Sequence, residues 1–367
     1  MNFRRTKAMA RKELLHIVRD PRSLTMALAV PMVLLLLFSY ALSLDVDLIP
    51  TIVYDQDGSP QSRELAARFT ASRYFNVIAQ ARGYKDVEHA IDVGDAIVAI
   101  VFPPDFSHHL RASKPSSVQI LLDGTDSNTA SIAMAYAESI VGGYSMEVVH
   151  RAPPAEARIR VWYNTDLKSR NFIIPGLVAV ILMIIASLLT SLTIAREWEN
   201  GTMEQLLSTP LRPVEIITGK LAAFFLLGIA DSVISIVSAV FVFDVPLRGN
   251  LLLLGLSTCI FLVGVLTWGL FISSISSTQL MAYQVGLLSS FLPGFLLSGF
   301  IYAIENMPVV IQVVTHIVPA RYFVVILKAI FLKGVGLEVL WVELLFLFAY
   351  AFVIAALAVK TLKKKVA

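Results

Sequence analysis

The sequence predicts a polytopic α-helical membrane protein with six transmembrane helices, an outer re-entrant or interfacial helix pair and an α+β extracytoplasmic domain. Hydrophobic residues make up 56% of the 367-residue chain and charged residues 16%, whereas soluble domains carry about 25% charged residues. The apolar residues form runs long enough to cross a bilayer, which takes about 20 residues. A block of mixed polarity separates the first two runs. This composition argues against a water-soluble enzyme, a disordered chain and a nucleic-acid-binding protein.

Six apolar runs predict the transmembrane helices. They lie at residues 24–44, 172–195, 217–243, 251–272, 280–302 and 339–359. Six spans place both termini on one side of the membrane. Residues 1–22 carry seven Lys or Arg residues, and the tail adds Lys360, Lys363, Lys364 and Lys365. The positive-inside rule therefore predicts that both termini are cytoplasmic.

The distribution of charge supports a division of the chain at the end of the first apolar run and the start of the second. Residues 45–171 hold 12 Lys/Arg and 16 Asp/Glu, a net charge of −4, whereas the remainder has a net charge of +7. We assign residues 1–22 to a cytoplasmic amphipathic helix, 23–44 to the first transmembrane helix and 45–171 to the extracytoplasmic domain. Residues 172–367 hold the other five transmembrane helices. The single cysteine, Cys259, excludes a disulfide within the chain.

The amphipathic lead, residues 3–18, has Leu14, Leu15 and Val18 on one face and basic residues that can meet lipid headgroups. We predict that it lies on the cytoplasmic membrane surface; a solvated flank of the first span is the alternative. The first span itself is too long for a signal peptide, so we expect an uncleaved anchor.

The region 303–336 contains two short apolar pieces, at 308–318 and 321–332. Each is too short to cross the membrane alone, so they predict a re-entrant or interfacial helix pair, which is tolerated where protein or water satisfies the backbone. Arg321, Lys328 and Lys333 then fall on the outer side, at variance with the positive-inside rule.

The inserted block alternates between strand and helix patterns. We predict strands at 49–54, 96–102, 118–122 and 158–163, and helices at 59–71, 84–93 and 129–149. Two groups in this block resemble metal ligands, namely Asp123, Asp126 and Asn128, and the pair His108 and His109. The first lacks the spacing of a calcium loop, and adjacent residues diverge by about 100° on a helix. We therefore predict no metal site.

The segment that joins the second and third spans, residues 196–210, is unusually polar. Gly201 can break the helix that leaves the membrane, Thr202 and Gln205 have the spacing of a capping box, and Glu204 suits a first turn. Pro210 then forces the preceding residue out of helical geometry. We predict a short, separately capped helix at 197–209 on the cytoplasmic side. It is either a docking element for a cytoplasmic partner or an ordinary interfacial loop.

Residues 197–210, Glu-Trp-Glu-Asn-Gly-Thr-Met-Glu followed by Thr209-Pro210, resemble the signature of the permease subunits of ABC type-2 exporters. Four further stretches are similar to that family, and the resemblance covers nearly the whole chain. They are residues 171–177, the outer region from 307 to 334, residues 102–106 and residues 122–125.

The resemblance implies a dimer in which each permease, paired with a second copy or with a related permease, docks on a separate ATP-hydrolysing subunit. It assigns the ATPase-coupling role to a set of residues in the polar segment and makes residues 1–22 the elbow helix. This set is Glu197, Glu199, Gly201, Thr202, Glu204 and Pro210. The large domain after the first span resembles the bacterial multidrug-type subgroup in the inner membrane. That subgroup often uses a periplasmic adaptor and an outer-membrane channel.

The chain lacks the phosphate-binding loop of an ATPase, since Gly219-Lys220 is followed by Leu221 and has no earlier glycine at the required spacing. We therefore expect no enzyme activity and no cofactor in this chain, with ATP and Mg²⁺ bound by the partner ATPase. Asp231, an acid in mid-span, is a candidate for the transport pathway or for structural hydrogen bonding. Pro293 and Gly294 predict a kink in the fifth span, which is either a hinge at a moving dimer interface or plain helix packing.

The resemblance, together with these patterns, implies the permease subunit of an ATP-driven exporter of lipophilic or amphipathic compounds. One alternative is an ion-driven secondary transporter that uses Asp231; such transporters are typically built from inverted repeats, which are not evident. The other is a membrane-anchored ligand sensor, for which a cytoplasmic signalling domain would be expected.

Overall fold

We describe the protein from a computed structural model, which covers residues 2–41, 47–112, 114, 116–124, 127–149, 168–302 and 304–366. The chain forms two compact units. One contains Met1–Ser43 and Val161–Ala367, and the other is Leu44–Arg160.

The N-terminal residues form two consecutive helices, α1 (Phe3–Arg19) and α2 (Pro21–Ala41). The predicted amphipathic lead is therefore a helix. The buried face of α1 consists of Met9, Glu13 and Ile17. It is not the apolar face that we predict from the sequence. Leu14, Leu15 and Val18 are exposed. The predicted position of α1 on a membrane surface stays a prediction.

The inserted unit contains a four-stranded sheet. Its elements are β1 (Ile49–Asp55), α3 (Pro60–Ala71), β2 (Phe75–Gln80), α4 (Tyr84–Val93), β3 (Val98–Phe102), α5 (Phe106–Arg111), β4 (Gln119–Leu122) and α6 (Ser127–Val149). The strand order is β2-β1-β3-β4. Strand β1 pairs in parallel with both β2 and β3, and β4 is antiparallel to β3.

This topology corrects the predicted α+β class. Alternate residues of β1 and β3 enter two separate cores, one with helices α3, α5 and α6 and the other with α4. A mostly parallel sheet with helices on both faces is an α/β arrangement. Strand β2 and helix α5 were not predicted. The predicted strand at 158–163 lies outside the described residues.

The remaining helices belong to the larger unit. They are α7 (Ser169–Glu199), α8 (Thr202–Leu207), α9 (Pro213–Phe241), α10 (Leu251–Ile275), α11 (Gln279–Leu296), α12 (Val309–Thr315), α13 (Pro319–Lys328) and α14 (Leu337–Val366). A short 3-10 helix (Ile304–Asn306) precedes α12, and a π-helical stretch (Ala329–Lys333) extends α13.

Among the described residues, four helices are long and apolar enough to cross a membrane, namely α7, α9, α10 and α14. The count rises to five if α12 and α13, which meet at a bend of 83°, form one broken span. That bent pair coincides with the predicted re-entrant region. The chain is thus a polytopic helical protein, and the count of six spans, which adds α2 and α11, stays a prediction.

Helix α7 is the centre of this bundle and contacts α2, α9, α10, α11 and α13. Small residues let its neighbours approach closely. A Cβ atom on Gly269 of α10 would overlap the Ser187 carbonyl oxygen and the Thr190 hydroxyl of α7. The Ser273 hydroxyl of α10 also accepts hydrogen bonds from the N–H groups of Ile194 and Ala195, at 2.8 and 2.9 Å. Close packing and polar contacts together fix α10 against α7.

We predict that Gly269→Ala destabilises the bundle by about 1–3 kcal/mol, because the new methyl group meets backbone that cannot yield. The matched control is Gly255→Ala on the same helix, where a Cβ atom meets nothing within 4 Å. Thermal unfolding of both purified variants in detergent measures the difference. Equal unfolding temperatures for the two variants would contradict the close packing of α10 on α7.

Candidate functional site

The turn between α7 and α8 is set by Gly201. Helix α7 ends at Glu199, and Gly201 adopts φ of +69°, in the left-handed region that glycine tolerates best. Helix α8 starts at the next residue and is only six residues long. The prediction that Gly201 separates a short helix from the preceding span is confirmed.

Three details of the predicted helix at 197–209 are wrong. Glu197 and Glu199 belong to the last turn of α7, so they are not part of the separate helix. Thr202 does not form a capping box, because Gly201 is the N-cap and the Thr202 hydroxyl donates to the carbonyl oxygen of Glu197 at 3.3 Å. Finally, α8 ends at Leu207, two residues before the predicted end at 209.

One face of α8 is anchored to the bundle. Met203 is fully buried in an apolar cluster with residues of α1, α7, α9, α10 and α14, and Leu206 and Leu207 pack against the same cluster. Glu204 and Gln205 are exposed. Helix α8 is therefore fixed to its own bundle on one side and free to meet another molecule on the other.

Beside α8, two lysines and two glutamates form a charge quartet, which consists of Lys12, Glu13, Glu197 and Lys220. The Lys220 ammonium lies 3.0 Å from Glu13 Oε1 and 2.9 Å from Glu197 Oε2. The Lys12 ammonium lies 2.9 Å from Glu13 Oε1 and 2.6 Å from Glu197 Oε1. Lys220 is 1% exposed, Glu13 6% and Glu197 7%. The charge quartet connects α1, α7 and α9 and has no net charge.

Two members of the quartet, Glu13 and Lys12, are stabilised in their charged forms by their partners. Burial alone would raise the pKa of Glu13, but Lys220 and Lys12 outweigh it and hold that pKa below its ordinary value. Burial likewise opposes the charge of Lys12, but Glu197 and Glu13 raise its pKa. The contribution of Glu13 to stability is thus present at neutral pH and lost as the pH falls through its folded pKa, whereas that of Lys12 is lost as the pH rises through its folded pKa.

Further hydrogen bonds tie α1 to the loop after α8. Glu215 Oε1 accepts from the N–H of Asn2 at 2.6 Å, and its Oε2 accepts from the N–H of Arg212 at 3.0 Å. The Arg5 guanidinium donates to the carbonyl oxygen of Pro210 at 2.5 Å. The start of α1 and the start of α9 are therefore held together.

Glu199 has a different partner. Its Oε2 atom accepts a hydrogen bond from the N–H of Gln279, the first residue of α11, at 2.7 Å. The Arg196 guanidinium donates to the Gln279 side-chain oxygen at 3.3 Å. These two contacts connect the end of α7 with the start of α11.

A cavity of about 780 Å³ lies between α1, α7, α8 and α9 and reaches Gln279. Its lining combines the charge quartet with Asp20 and Arg196, and it includes apolar side chains such as Leu188, Leu192 and Phe224. The cavity is thus amphipathic, and α8 contributes Thr202, Gln205 and Leu206 to its wall.

Asp231 lies apart from this site, in the middle of α9. It is 4% exposed, and its Oδ1 atom has no hydrogen-bond partner among the described residues. Two buried serines, Ser232 and Ser235, lie one and four residues further along α9. The other surroundings of Asp231 are apolar side chains of α2, α7, α9 and α10. Both interpretations of Asp231, pathway and structural, stay open.

The predicted hinge lies near the end of α11. Pro293 and Gly294 are the fourth- and third-last residues of that helix, which ends at Leu296. Gly294 faces Met183 and Val180 of α7 at ordinary contact distance. A hinge role for this pair stays a prediction.

The charge quartet is the part of the site that sequence reasoning missed. The family resemblance implies partner contact for Glu197, whereas the structure buries it, and in the sequence Lys220 stands out only as a poor match to a nucleotide-binding loop. The sequence does contain one indication of the quartet, namely a lysine inside an apolar run, because an ionised group in such a place needs a partner.

Comparison with known proteins identifies the chain's family. The family model described as "ABC-2 family transporter protein" matches residues 21–360. The chain belongs to the ABC-2 transporter family.

Three relatives from Escherichia coli strain K12 resemble this ABC-2 permease over nearly their whole length. The probable multidrug ABC transporter permease YbhS is 37% identical over 96% of this chain and 94% of its own. The probable multidrug ABC transporter permease YbhR is 33% identical over 92% of this chain and 93% of its own. The inner membrane transport permease YhhJ is 27% identical over 97% of this chain and 96% of its own. These relatives are transmembrane components of transporters rather than enzymes, as is this ABC-2 permease.

We predict that Lys220→Met destabilises the ABC-2 permease by about 3–5 kcal/mol, because it leaves two buried carboxylates with one partly exposed lysine. Adding Glu13→Gln leaves the remaining charges of the quartet with no net charge and recovers part of the lost stability, so the effects of the two substitutions are not additive. Thermal unfolding in detergent is the measurement, with Lys333→Met, at an exposed lysine, as the control. Strictly additive effects would contradict a coupled quartet.

Proposed function

We propose that this ABC-2 permease forms, as a dimer with a second copy or a related permease, the membrane path of an ATP-driven exporter. A separate ABC ATPase docks on α8 and supplies the energy. ATP and Mg²⁺ bind to that ATPase, and no cofactor binds to this chain. The family supports the general role, and the geometry of α8 supports the docking role.

The observation that carries the proposal is the two-sided position of α8. Its exposed Glu204 and Gln205 can contact a partner, whereas Met203 fixes it to the bundle. The Thr202 hydroxyl joins it to the end of α7, next to the charge quartet. A displacement of α8 would therefore be passed to α1, α7 and α9 together.

The coupling residues named from the sequence divide into two kinds in this proposal. Glu204 is available for direct contact, and Pro210 is exposed in the loop that follows α8. Glu197 and Glu199 act indirectly, through Lys220 and through the N–H of Gln279. Gly201 sets the turn and Thr202 closes it. The cavity between α1 and α8 gives the partner room to enter beside α8.

The cargo follows from the relatives and from the composition. YbhS and YbhR carry the word multidrug in their names, and we propose lipophilic or amphipathic compounds as substrates here. The inner membrane is the proposed location, with both termini in the cytoplasm and residues 45–171 outside. There that domain would meet a periplasmic adaptor that leads to an outer-membrane channel, and α1 would rest on membrane lipid.

One observation favours a second candidate, an ion-driven transporter. The buried Asp231 has an unpartnered carboxylate oxygen within the part of the chain that the structure describes, and such acids mark proton or ion pathways. Transport by the permease alone in proteoliposomes, driven by an ion gradient without ATP, would support this candidate over the exporter.

We predict that Glu204→Lys weakens binding of the partner ABC ATPase by about tenfold, because it reverses an exposed charge at the docking surface. The matched control is Glu338→Lys, at an exposed glutamate in the first turn of α14. Co-purification and ATP-dependent transport are compared for both variants. Unchanged assembly and transport with Glu204→Lys would exclude docking through this face of α8.

A further inference from the structure

Helix α13 carries two cations, Arg321 and Lys328, that the positive-inside rule does not explain. They are seven residues apart and so lie on similar faces of the helix. Neither forms an ion pair with an acidic side chain in the described ranges of the chain. The two nevertheless differ in how their charges are satisfied.

Arg321 is occupied by the bend between α12 and α13. Its guanidinium donates to the Thr315 hydroxyl and to the carbonyl oxygen of Gln312, at 3.4 Å for the latter, and it lies 3.1 Å from His316 Nδ1. These groups are all in or next to α12. The arrangement explains Arg321 as a structural residue that holds the 83° bend.

Lys328, the last residue of α13, has much weaker partners. Its ammonium lies 3.4 Å from the ring centroid of Phe172 and 3.4 Å from the carbonyl oxygen of Gly299. Phe172 is at the start of α7, and Gly299 follows the end of α11. A cation–π contact holds the ammonium in place, but it does not neutralise the charge.

The position of Lys328 has two consequences. Its side chain is partly buried, and a charge in such surroundings is costly unless an opposite charge accompanies it. The 43% of Phe172 that is exposed offers an apolar surface directly beside the ammonium. A molecule with an acidic group attached to an apolar body would satisfy both groups at once.

The site is also well separated from the docking helix. Phe172 is near the start of the 31-residue α7, and α8 follows its other end, so the two sites are about 40 Å apart along the helix axis. An acidic molecule at Lys328 would therefore be bound far from the proposed ATPase contact.

We propose that Lys328 and Phe172 form a binding site for the acidic headgroup, a carboxylate or a phosphate, of an amphipathic molecule. This inference rests on the proposed function in one respect, that amphipathic compounds are its cargo. The acidic group comes either from the cargo or from an anionic lipid, since the chemistry of recognition is the same.

The test uses the full purified chain without ATPase, so that its outcome is independent of ATPase docking. The probe is dodecyl phosphate, with uncharged dodecanol as the matched apolar compound. An amine-reactive acetylating reagent labels exposed lysines, and mass spectrometry reads each site. We expect dodecyl phosphate to slow the labelling of Lys328 at least fivefold, and dodecanol to leave it unchanged. The exposed Lys333 is the internal control.

Variants separate binding from structure. Lys328→Met is expected to weaken dodecyl phosphate binding about tenfold without changing dodecanol binding, whereas Lys328→Arg retains it. Because the labelling experiment uses the wild-type chain, it gives an answer even if Lys328→Met does not fold. Equal protection of Lys328 by both compounds, or none by either, would overturn the proposal.

A second pair of samples identifies the source of the acidic group. The chain is placed in nanodiscs of phosphatidylcholine, with or without phosphatidylglycerol. Protection of Lys328 in nanodiscs that contain phosphatidylglycerol, before any dodecyl phosphate is added, supports the proposal and identifies a lipid headgroup as the ligand. Protection of Lys328 in either nanodisc only after dodecyl phosphate is added supports the proposal and identifies the cargo as the source of the acidic group.

Discussion

The charge quartet of Lys12, Glu13, Glu197 and Lys220 is the interaction on which the proposed coupling site depends. A buried ion needs compensating charge at close range, so the two glutamates and Lys220 can be buried only if α1, α7 and α9 meet in one register. That register positions the end of α7 and hence the turn at Gly201. It also draws the amphipathic α1 onto the bundle. The position of α8 is thus a consequence of the quartet and of the buried Met203.

The second constraint is the close packing around α7. Helices α10 and α11 approach Ser187, Thr190 and Ser191 of α7 closely at Gly269 and Gly286, and most residues of α7 are buried. A helix enclosed in this way can move only with its neighbours. It joins the α8 end of the bundle to the end with Phe172 and Lys328, which makes it the physical route by which events at α8 could affect a molecule bound near Lys328.

Local patterns in the sequence predict much of this fold. The apolar runs at 172–195, 217–243, 251–272 and 339–359 each coincide with a long helix, because an apolar run of that length with at most two charged residues folds most readily as a helix. Gly201 is predictable as the end of the helix because glycine is unfavourable in a helix interior, whereas its left-handed conformation is known only from the structure. The resemblance to ABC-2 permeases was confirmed by the family match. Strand β2 was missed because its last three residues are exposed and break the apolar alternation.

The rest depends on contacts between residues distant in sequence. Glu13, Glu197 and Lys220 are joined only by the tertiary fold, so no local pattern shows that Glu197 is buried rather than presented to a partner. The same applies to Glu199, whose partner is the backbone of Gln279. The sheet class was misassigned for this reason too, because strand order is decided by β1 pairing with both β2 and β3. Composition and spacing do not encode those pairings.

The most direct test of the central claim is site-specific crosslinking of the assembled complex. Cys259 is the only cysteine, so Cys259→Ser gives a background in which Gln205→Cys or Glu338→Cys carries a benzophenone maleimide. We expect irradiation to attach the ATPase to the label at residue 205 on α8 and not to the label at residue 338 on α14. Attachment at residue 338 with none at residue 205 would contradict the assignment of α8 as the docking helix.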